Sequence, residues 1–233
     1  MKQPSKPSQP LLIFDMDGVL VDVTESYRET ITRTVEHFTG RSFSRESIQE
    51  YKNAGGWNDD WQLSHHLIRT AGVGASFDNV KSHFQTLFHG VNGTPGLMLR
   101  ERWIARPGIL EKLGERFRFA LFTGREKEEA QLTLDRFAAH LVFDPIVGMH
   151  EVENHKPAPD GLLRILRANP DSAAYYIGDT VDDARAARAA AVPFIGIAAP
   201  ANPLHNELVA LFQAEGARAI LGDINYLAEM FGQ

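Results

Sequence analysis

The stretch that decides the fold is Leu11–Leu20, LLIFDMDGVL, in which four apolar residues lead into two acids and a glycine. Such an apolar run after a proline-rich segment predicts a short strand that is buried on both faces, as in the middle of a parallel sheet. Asp15 and Asp17 follow at its carboxyl end, where strand alternation would turn both carboxylates the same way. Two buried like charges repel each other unless a cation lies between them or one of them stays protonated. A capping role in the following turn is the alternative that this stretch leaves open.

The composition of the chain is that of a globular protein, with 233 residues, of which 43% are hydrophobic and 23% are charged. The net charge of −6 argues against nucleic acid as a partner, since phosphate backbones require clustered lysines and arginines. The absence of cysteine excludes disulfides, thiolate nucleophiles and zinc–thiolate sites. Residues 1–10 are polar and proline-rich, which predicts a flexible tail and not a signal peptide. No apolar run is long enough to span a bilayer, so we expect a cytoplasmic protein with no membrane partner.

Residues 23–102 predict an inserted helical domain, a cap, with no convincing strand. Helical spacing of apolar residues favours helices over 24–39, from Ser44, over 57–70 and from Ser76. Thr24 is a candidate N-cap for the first of these helices, and Gly40 is expected to end it. Because connections between elements usually have about 4–6 residues, a segment of this length between two strands indicates a domain and not a loop.

Beyond residue 103 the pattern alternates between helix and strand. Strands are predicted at 117–122, around 146–147, at 173–177 and at 194–197, with helices at 108–115, 126–138, 158–168 and 182–190. This alternation predicts right-handed crossovers and an α/β core with a doubly wound parallel sheet, built from residues 11–22 and 103–233. In such a fold, ligands bind beyond the carboxyl ends of the strands.

Polar residues follow the predicted strands at these carboxyl ends. Besides the first two acids, the set contains Thr123, Gly124, Asp179, Asp182 and Asp183, and Lys156 precedes the third crossover helix. Carboxylates without cysteine or paired histidine favour a hard cation such as Mg²⁺. A threonine hydroxyl, a glycine amide and a lysine suit the oxygens of a phosphoryl group. The sequence therefore predicts a site for a metal ion and a phosphate.

Four motifs together resemble those of the haloacid dehalogenase superfamily. In chain order they are DMDGVL from Asp15, FTG from Phe122, HKPAPD from His155 and GDTVDD from Gly178. The resemblance extends from residue 11 to about residue 198. It implies a Rossmann-like core with a helical cap inserted after the first strand, which is the layout that the periodicity predicts.

The resemblance also implies roles for the acids. Asp15 would be the nucleophile that forms an aspartyl-phosphate. Asp17 would protonate the leaving oxygen and later activate water, while its backbone carbonyl would join Asp15 and Asp179 around Mg²⁺. Asp183 matches the last acid of the family and would support the metal, with Asp182 as a rival for that role.

The resemblance places phosphate-binding groups after the second core strand and in the third motif. Thr123 and Lys156 would hold the phosphoryl oxygens, and Lys156 would offset the charge around the nucleophile. Thr123 could also cap the helix that follows it. Gly124 and Arg125 are candidate substrate-binding residues, and an exposed position at the helix start is the alternative for Arg125.

The loop between the second and third cap helices carries the candidate specificity residues. In capped members of the superfamily this loop closes over the core and selects the leaving group, which makes Lys52 and Asn53 candidate substrate-binding residues. The alternative is a plain helix terminus capped by Asn58. Asp59 or Asp60 would favour a substrate that bears an amine or an imidazole. The loop also resembles capped relatives associated with histidine biosynthesis, which makes histidinol phosphate one candidate.

The leading functional hypothesis is a Mg²⁺-dependent phosphomonoester phosphatase that acts on a small phosphorylated metabolite. A true dehalogenase is disfavoured, because it needs neither a metal nor an acid at the position of Asp17. A phosphomutase would use the same core residues. A non-enzymatic receiver-type phosphoacceptor domain also combines acids, threonine and lysine with Mg²⁺, but here Thr123 and Lys156 precede the second acidic cluster and a cap is inserted.

Overall fold

The computed structural model describes residues 9–91 and 93–232. Of the predicted flexible tail, residues 1–8 lie outside this part of the chain. The strands of the described part are, in chain order, β1 (Leu11–Phe14), β2 (Val21–Asp22), β3 (Gly90–Val91), β4 (Thr94–Pro95), β5 (Arg102–Trp103), β6 (Arg118–Phe122), β7 (Phe143–Val147), β8 (Ala174–Gly178), β9 (Phe194–Ile197) and β10 (Ala219–Leu221). The helices are α1 (Tyr27–Thr39), α2 (Arg45–Ala54), α3 (Asp60–Thr70), α4 (Phe77–His89), α5 (Ile109–Gly114), α6 (Lys127–Phe137), α7 (Asp160–Ala168), α8 (Val181–Ala189), α9 (His205–Ala214) and α10 (Leu227–Gly232).

A parallel six-stranded sheet forms the core, in the order β10-β9-β8-β1-β6-β7. Strand β1 lies between β8 and β6, and all four of its residues are buried, because helices cover both faces of the sheet. The prediction of a Rossmann-like doubly wound sheet around this strand is confirmed. Beyond the predicted elements, the structure adds α9, β10 and α10 at the carboxyl-terminal end of the core.

Helices α1 to α4 form the unit inserted after β1, with α1 packed against α3 and α4. The predicted helix starts at Ser44 and Ser76 are confirmed. Both serines cap their helices, α2 and α4, because their hydroxyls accept hydrogen bonds from the third backbone N–H of each helix. Helix α1 ends before Gly40, whose φ of 65° is the left-handed conformation that a glycine adopts freely.

Two predicted helix starts in this unit are wrong. Helix α1 begins at Tyr27 and not at Thr24, whose N–H instead donates to the carboxylate of Asp22. Helix α3 begins at Asp60, and its cap is Asp59 and not Asn58. The Asp59 carboxylate accepts hydrogen bonds from two backbone N–H groups of the first turn. An acid at this position also interacts favourably with the positive end of the helix dipole.

The chain leaves and re-enters the core along two adjacent segments. Strand β2 pairs antiparallel with β5, and Arg102 forms an ion pair of 2.7 Å with Asp22 across this pair. The proposed domain limits at residues 22 and 103 therefore lie at one paired linker. The expectation of no strand over residues 23–102 is wrong, since β3 and β4 form a short antiparallel pair after α4. In the described residues, no helix has the length and apolar character needed to cross a bilayer.

Candidate active site

Three carboxylates meet at the carboxyl edge of the sheet. Asp15 follows β1, Asp179 follows β8, and Asp183 lies in the first turn of α8, and one oxygen of each lies within 4.8 Å of the others. Because β1 and β8 are neighbouring parallel strands, their carboxyl ends bring together residues that are far apart in sequence. This convergence is the one expected from the spacing of the motifs.

Lys156 joins this cluster from the loop before α7. Its Nζ lies 3.0 Å from Asp15 Oδ1 and 2.8 Å from Asp183 Oδ1, with all three side chains buried. Burial raises the pKa of Asp15 to about 7, and the charge of Lys156 only partly offsets this. Burial also acts against the charge of Lys156, but the carboxylates of Asp15 and Asp183 outweigh it and raise the lysine pKa. The ammonium therefore stays charged next to the candidate nucleophile.

Hydrogen bonds from neighbouring residues hold the Asp183 carboxylate in place. Its carboxylate accepts hydrogen bonds from the Tyr176 hydroxyl at 2.6 Å, the Thr180 hydroxyl at 2.6 Å and the Thr180 N–H at 3.0 Å. Burial acts to raise the pKa of Asp183, but Lys156 and these donors lower it overall. The rival residue Asp182 faces the cap, where its two oxygens accept from the Gly56 N–H at 3.0 and 2.8 Å. Asp183, and not Asp182, is therefore the member of the cluster.

The side chain of Asp17 lies outside the carboxylate cluster, although it lines the same pocket as Asp15. Its Oδ1 accepts from Arg125 Nε at 2.8 Å and from Arg125 Nη2 at 2.5 Å. The next residue, Gly18, has a φ of 71°, and a Cβ there would lie 2.0 Å from Asp179 Oδ2. Only a glycine lets this loop pass so close to Asp179, so the backbone after β1 lies directly against the cluster.

The donors of this cluster fit a hard divalent cation. All three are carboxylates, and magnesium prefers oxygen ligands. Burial, together with the charges of Asp15 and Asp183, raises the pKa of Asp179 well above its ordinary value, so a bound cation would favour its charged form. Asp15, Asp179 and Asp183 would hold or support the ion. For Asp17, the predicted metal ligand is the backbone carbonyl, and its carboxylate contacts Arg125 through Oδ1.

The segment after β6 places Thr123, Gly124 and Arg125 beside the cluster. Thr123 is buried, and its hydroxyl accepts from the Arg125 N–H at 3.2 Å. A Cβ on Gly124 would lie 2.4 Å from the Asn58 amide, so the cap loop reaches the core at this glycine. Arg125 is buried, and its three guanidinium nitrogens all donate to protein groups. The alternative of an exposed position for Arg125 is therefore wrong. Its guanidinium donates to protein groups, whereas the sequence predicted that it binds the substrate.

A pocket between the cap and the core opens onto these groups. From the core it is lined by Asp15, Asp17, Gly124, Arg125, Glu126, Glu129, Met149, Asp179 and Thr180, and from the cap side by Val23, Tyr27, Arg28, Lys52, Asn58, Asp59, Asp60 and Trp61. Lys52, a predicted substrate-binding residue, is among the residues that line this pocket. Its Nζ donates to the Trp57 carbonyl at 2.7 Å and to Asp60 Oδ1 at 2.5 Å.

The prediction that Asn53 binds the substrate is corrected, because this residue lies away from the pocket. Its amide nitrogen donates to Glu207 Oε1 on α9 at 2.9 Å, and its amide oxygen accepts from Gln49 at 2.8 Å. The contact with Glu207 joins the cap to the core. The position of Asn53, one residue after Lys52, turns it to a different face of α2.

Sequence reasoning missed several residues of the pocket wall. Glu129 on α6 accepts from the Tyr27 hydroxyl at 2.9 Å and lies 3.0 Å from His89 Nε2, and burial raises its pKa. Arg28 lies near Asp179, and its guanidinium forms no ion pair or hydrogen bond with the part of the chain that the structure describes. The sequence does contain a signal for two of the wall residues. Glu126 and Glu129 lie three residues apart shortly after Thr123, a spacing that places both acids on one face of the helix start.

Comparisons with known proteins agree with this geometry. A family model described as haloacid dehalogenase-like hydrolase matches residues 12–197. An imidazoleglycerol-phosphate dehydratase of Phytophthora nicotianae is 35% identical over 204 residues, which cover 84% of this chain and 44% of that protein. A phosphoglycolate phosphatase of Pseudomonas fluorescens is 24% identical over 238 residues, covering 94% of this chain and 82% of that protein. The chain thus spans less than half the length of the first relative and most of the second.

Solved structures share the fold. A putative haloacid dehalogenase-like hydrolase from Bacteroides fragilis superposes with a TM-score of 0.73 at 19% identity, covering 94% of this chain and 100% of that one. A putative beta-phosphoglucomutase from Thermotoga maritima superposes with a TM-score of 0.65 at 22% identity, covering 96% of this chain and 98% of that one. The family match extends over most of the chain and includes all the residues of the carboxylate cluster. The chain therefore belongs to the haloacid dehalogenase-like hydrolase family.

Proposed function

We propose that this protein is a Mg²⁺-dependent phosphomonoester hydrolase that acts on a small phosphorylated metabolite through an aspartyl-phosphate on Asp15. The contact of Asp15 with the Lys156 ammonium, at the edge of a cluster that fits a divalent cation, is the observation that carries the proposal. A phosphoryl group that enters from the pocket would meet a carboxylate nucleophile and positive charge at the same place. Both are needed for in-line transfer, because charge on the phosphoryl oxygens repels an anionic nucleophile.

In the first step, a carboxylate oxygen of Asp15 attacks phosphorus while the bond from phosphorus to the leaving oxygen breaks. Asp17 gives its proton to that oxygen, and the alcohol leaves. In the second step a water molecule attacks the aspartyl-phosphate, Asp17 takes the water proton, and inorganic phosphate leaves as the bond to Asp15 breaks. Lys156 and Thr123 would bind the phosphoryl oxygens throughout. When bound, Mg²⁺ supplies further positive charge to the same oxygens.

The candidate substrate class is a phosphate ester with a cationic or imidazole-bearing leaving group, such as histidinol phosphate. Away from the carboxylate cluster and the ion pair of Asp17 with Arg125, the pocket wall carries four acids, Asp59, Asp60, Glu126 and Glu129, against Lys52 and Arg28. Lys52 is already paired with Asp60, so the remaining wall favours positive charge on the ligand. The relative from Phytophthora nicotianae is named for an imidazole-bearing phosphate ester, although this chain covers 44% of that protein.

The test is a broad panel of phosphomonoesters with and without Mg²⁺, run for the wild type, Asp15→Asn and the control Asp135→Asn, which changes an exposed acid on α6. We expect phosphate release that requires Mg²⁺, an Asp15→Asn rate lower by at least roughly a thousandfold, and a near-normal control. Near-normal turnover by Asp15→Asn would reject the proposed nucleophile. Isomerisation of a sugar phosphate without phosphate release would favour the phosphomutase alternative. A stable phosphoprotein without turnover would favour a phosphoacceptor domain.

A further inference from the structure

Arg125 has a complete set of protein partners beneath the pocket. It is 3% exposed, and its Nε and Nη2 both donate to Asp17 Oδ1, at 2.8 and 2.5 Å. Nη2 also donates to Glu101 Oε1 at 2.7 Å, and Nη1 donates to Thr133 at 2.9 Å. The Tyr27 ring lies 4.8 Å from the guanidinium carbon and covers it from the cap side. A guanidinium with these contacts has a fixed orientation and little capacity left for a ligand.

The contacts of Arg125 leave one oxygen of Asp17 available. Both hydrogen bonds reach Oδ1, and Oδ2 accepts none from the residues that the structure describes. The Asp17 side chain is 29% exposed and lines the pocket. A carboxylate held through one oxygen keeps the other in a defined direction, which is what proton transfer to a leaving group requires.

Glu101 connects this arrangement to the linker between the cap and the core. It immediately precedes β5, which pairs with β2 at the point where the chain crosses between the two parts. Glu101 is 3% exposed, and its two carboxylate oxygens accept from Arg125 at 2.7 Å and from Thr133 at 3.3 Å. A displacement of this linker would therefore move the partner that orients Arg125, and with it Asp17.

We propose that Arg125 is a positioning residue that orients the free oxygen of Asp17 toward the leaving group. In this proposal, Glu101 couples that orientation to the linker between the cap and the core. This inference rests on the proposed phosphatase function. It reassigns Arg125 from a substrate-binding residue to one that acts through Asp17. Burial of Glu101 and Thr133 beside this guanidinium is costly without full pairing, so partial loss of these contacts should misplace Asp17.

The test compares Arg125→Lys and Glu101→Gln with the control Arg136→Ala. Arg136 lies on the same helix as Thr133 and donates to the carbonyls of Met98 and Leu99, at 3.1 and 2.9 Å. It thus holds the same linker segment without touching Asp17. The substrates are phenyl phosphate and p-nitrophenyl phosphate, which have similar shapes but leaving oxygens of different basicity. The rate of the first turnover is measured for each, so that only transfer to Asp15 and departure of the leaving group are observed.

We expect Arg125→Lys to slow phenol release by roughly tenfold to a hundredfold and p-nitrophenol release much less, with KM little changed. The nitrophenolate leaves readily without a proton, so it depends less on a correctly aimed acid. Glu101→Gln should show the same preference with a smaller loss, which keeps the test valid if Arg125→Lys folds poorly. Arg136→Ala should show no difference between the two substrates.

An equal loss for both leaving groups in Arg125→Lys and Glu101→Gln would overturn the inference alone. This result would mean that the ion pairs serve stability only. A wild type that releases no phosphate from any ester of the panel would reject the proposed function, and this inference with it.

Discussion

The ammonium of Lys156 lies between two buried carboxylates, 3.0 Å from Asp15 and 2.8 Å from Asp183. Asp179 adds a third carboxylate to the same cluster. Burial, together with the charges of the neighbouring carboxylates, raises the pKa values of Asp15 and Asp179, because one ammonium cannot neutralise three acids. Charge balance at this edge of the sheet therefore links catalysis, metal binding and stability.

Replacing Lys156 by methionine should abolish most activity while keeping the side-chain volume. We expect kcat to fall by at least roughly a hundredfold, because a positive charge aimed at the transferring phosphoryl group is lost. The pKa of Asp15 should rise further, since Lys156 is what lowers it. The matched control is Lys127→Met, an exposed lysine at the start of α6. A Lys156→Met variant with wild-type kcat would remove this lysine from the mechanism.

The stability of the metal-free protein should depend on the charge of Asp15. Its pKa rises from 3.8 to about 7 on folding, so the fold favours the protonated acid. This contribution is full below pH 3.8 and is lost as the pH rises towards 7. Asp183, with its lowered pKa, acts in the opposite sense and loses its contribution as the pH falls, so the useful window lies above about pH 5.

In that window the Asp15→Asn variant should gain stability relative to the wild type as the pH rises. The gain in the free energy of unfolding should approach about 1.4 kcal/mol per pH unit at most, measured by urea denaturation in the presence of EDTA. Asp135→Asn, which changes an exposed acid, should show no such trend. A difference between Asp15→Asn and wild type that stays constant with pH would contradict the raised pKa.

Mg²⁺ should stabilise the wild type against heat, and the effect should depend on Asp179. An ion at about a hundred times its dissociation constant adds about 2.7 kcal/mol to the free energy of unfolding. Asp179→Asn removes one of the clustered carboxylates and should lose most of this rise in Tm. If Asp179→Asn keeps the full Mg²⁺-dependent rise while Asp135→Asn behaves alike, the ion binds elsewhere.

Asp182 should govern how the cap loop docks on the core. Its buried carboxylate holds the Gly56 N–H, and burial raises its pKa. Hydrogen bonds to charged groups contribute about 1.5–3 kcal/mol, so Asp182→Ala should raise KM by roughly tenfold or more, with kcat less affected. The measurement is steady-state kinetics at saturating Mg²⁺. A variant that instead needs much more Mg²⁺ would restore Asp182 as the metal-supporting acid.

Glu129 should contribute to the preference for a cationic leaving group. Glu129→Gln keeps the shape and the contact with Tyr27 but removes the charge on the pocket wall. We expect kcat/KM for histidinol phosphate to fall by roughly tenfold, the effect of about 1.4 kcal/mol, relative to that for phosphoglycolate. The neighbouring exposed acid provides the control Glu128→Gln. Equal changes in kcat/KM for both substrates would show that Glu129 does not recognise the charge of the leaving group.

The sequence by itself determined the central strand, the parallel core and the edge at which the polar residues meet. Four apolar residues at 11–14 can be buried only between covered faces, and alternating strands and helices leave one edge where all strand ends point the same way. The prediction that Asp15 and Asp179 come together needed only this topology. Capping residues such as Ser44 and Ser76 were also predictable, because their partners lie within one turn.

Only the tertiary structure decided which way the remaining side chains face. Asp182 and Asp183 are adjacent, as are Lys52 and Asn53, yet each pair divides between two surroundings, because successive residues of a helix point about 100° apart. Arg125 binds Asp17 and Glu101, whose positions are set by separate segments of the chain. Local pattern carries no information on such partners, since long-range contacts are chosen by packing and by the need to pair every buried charge.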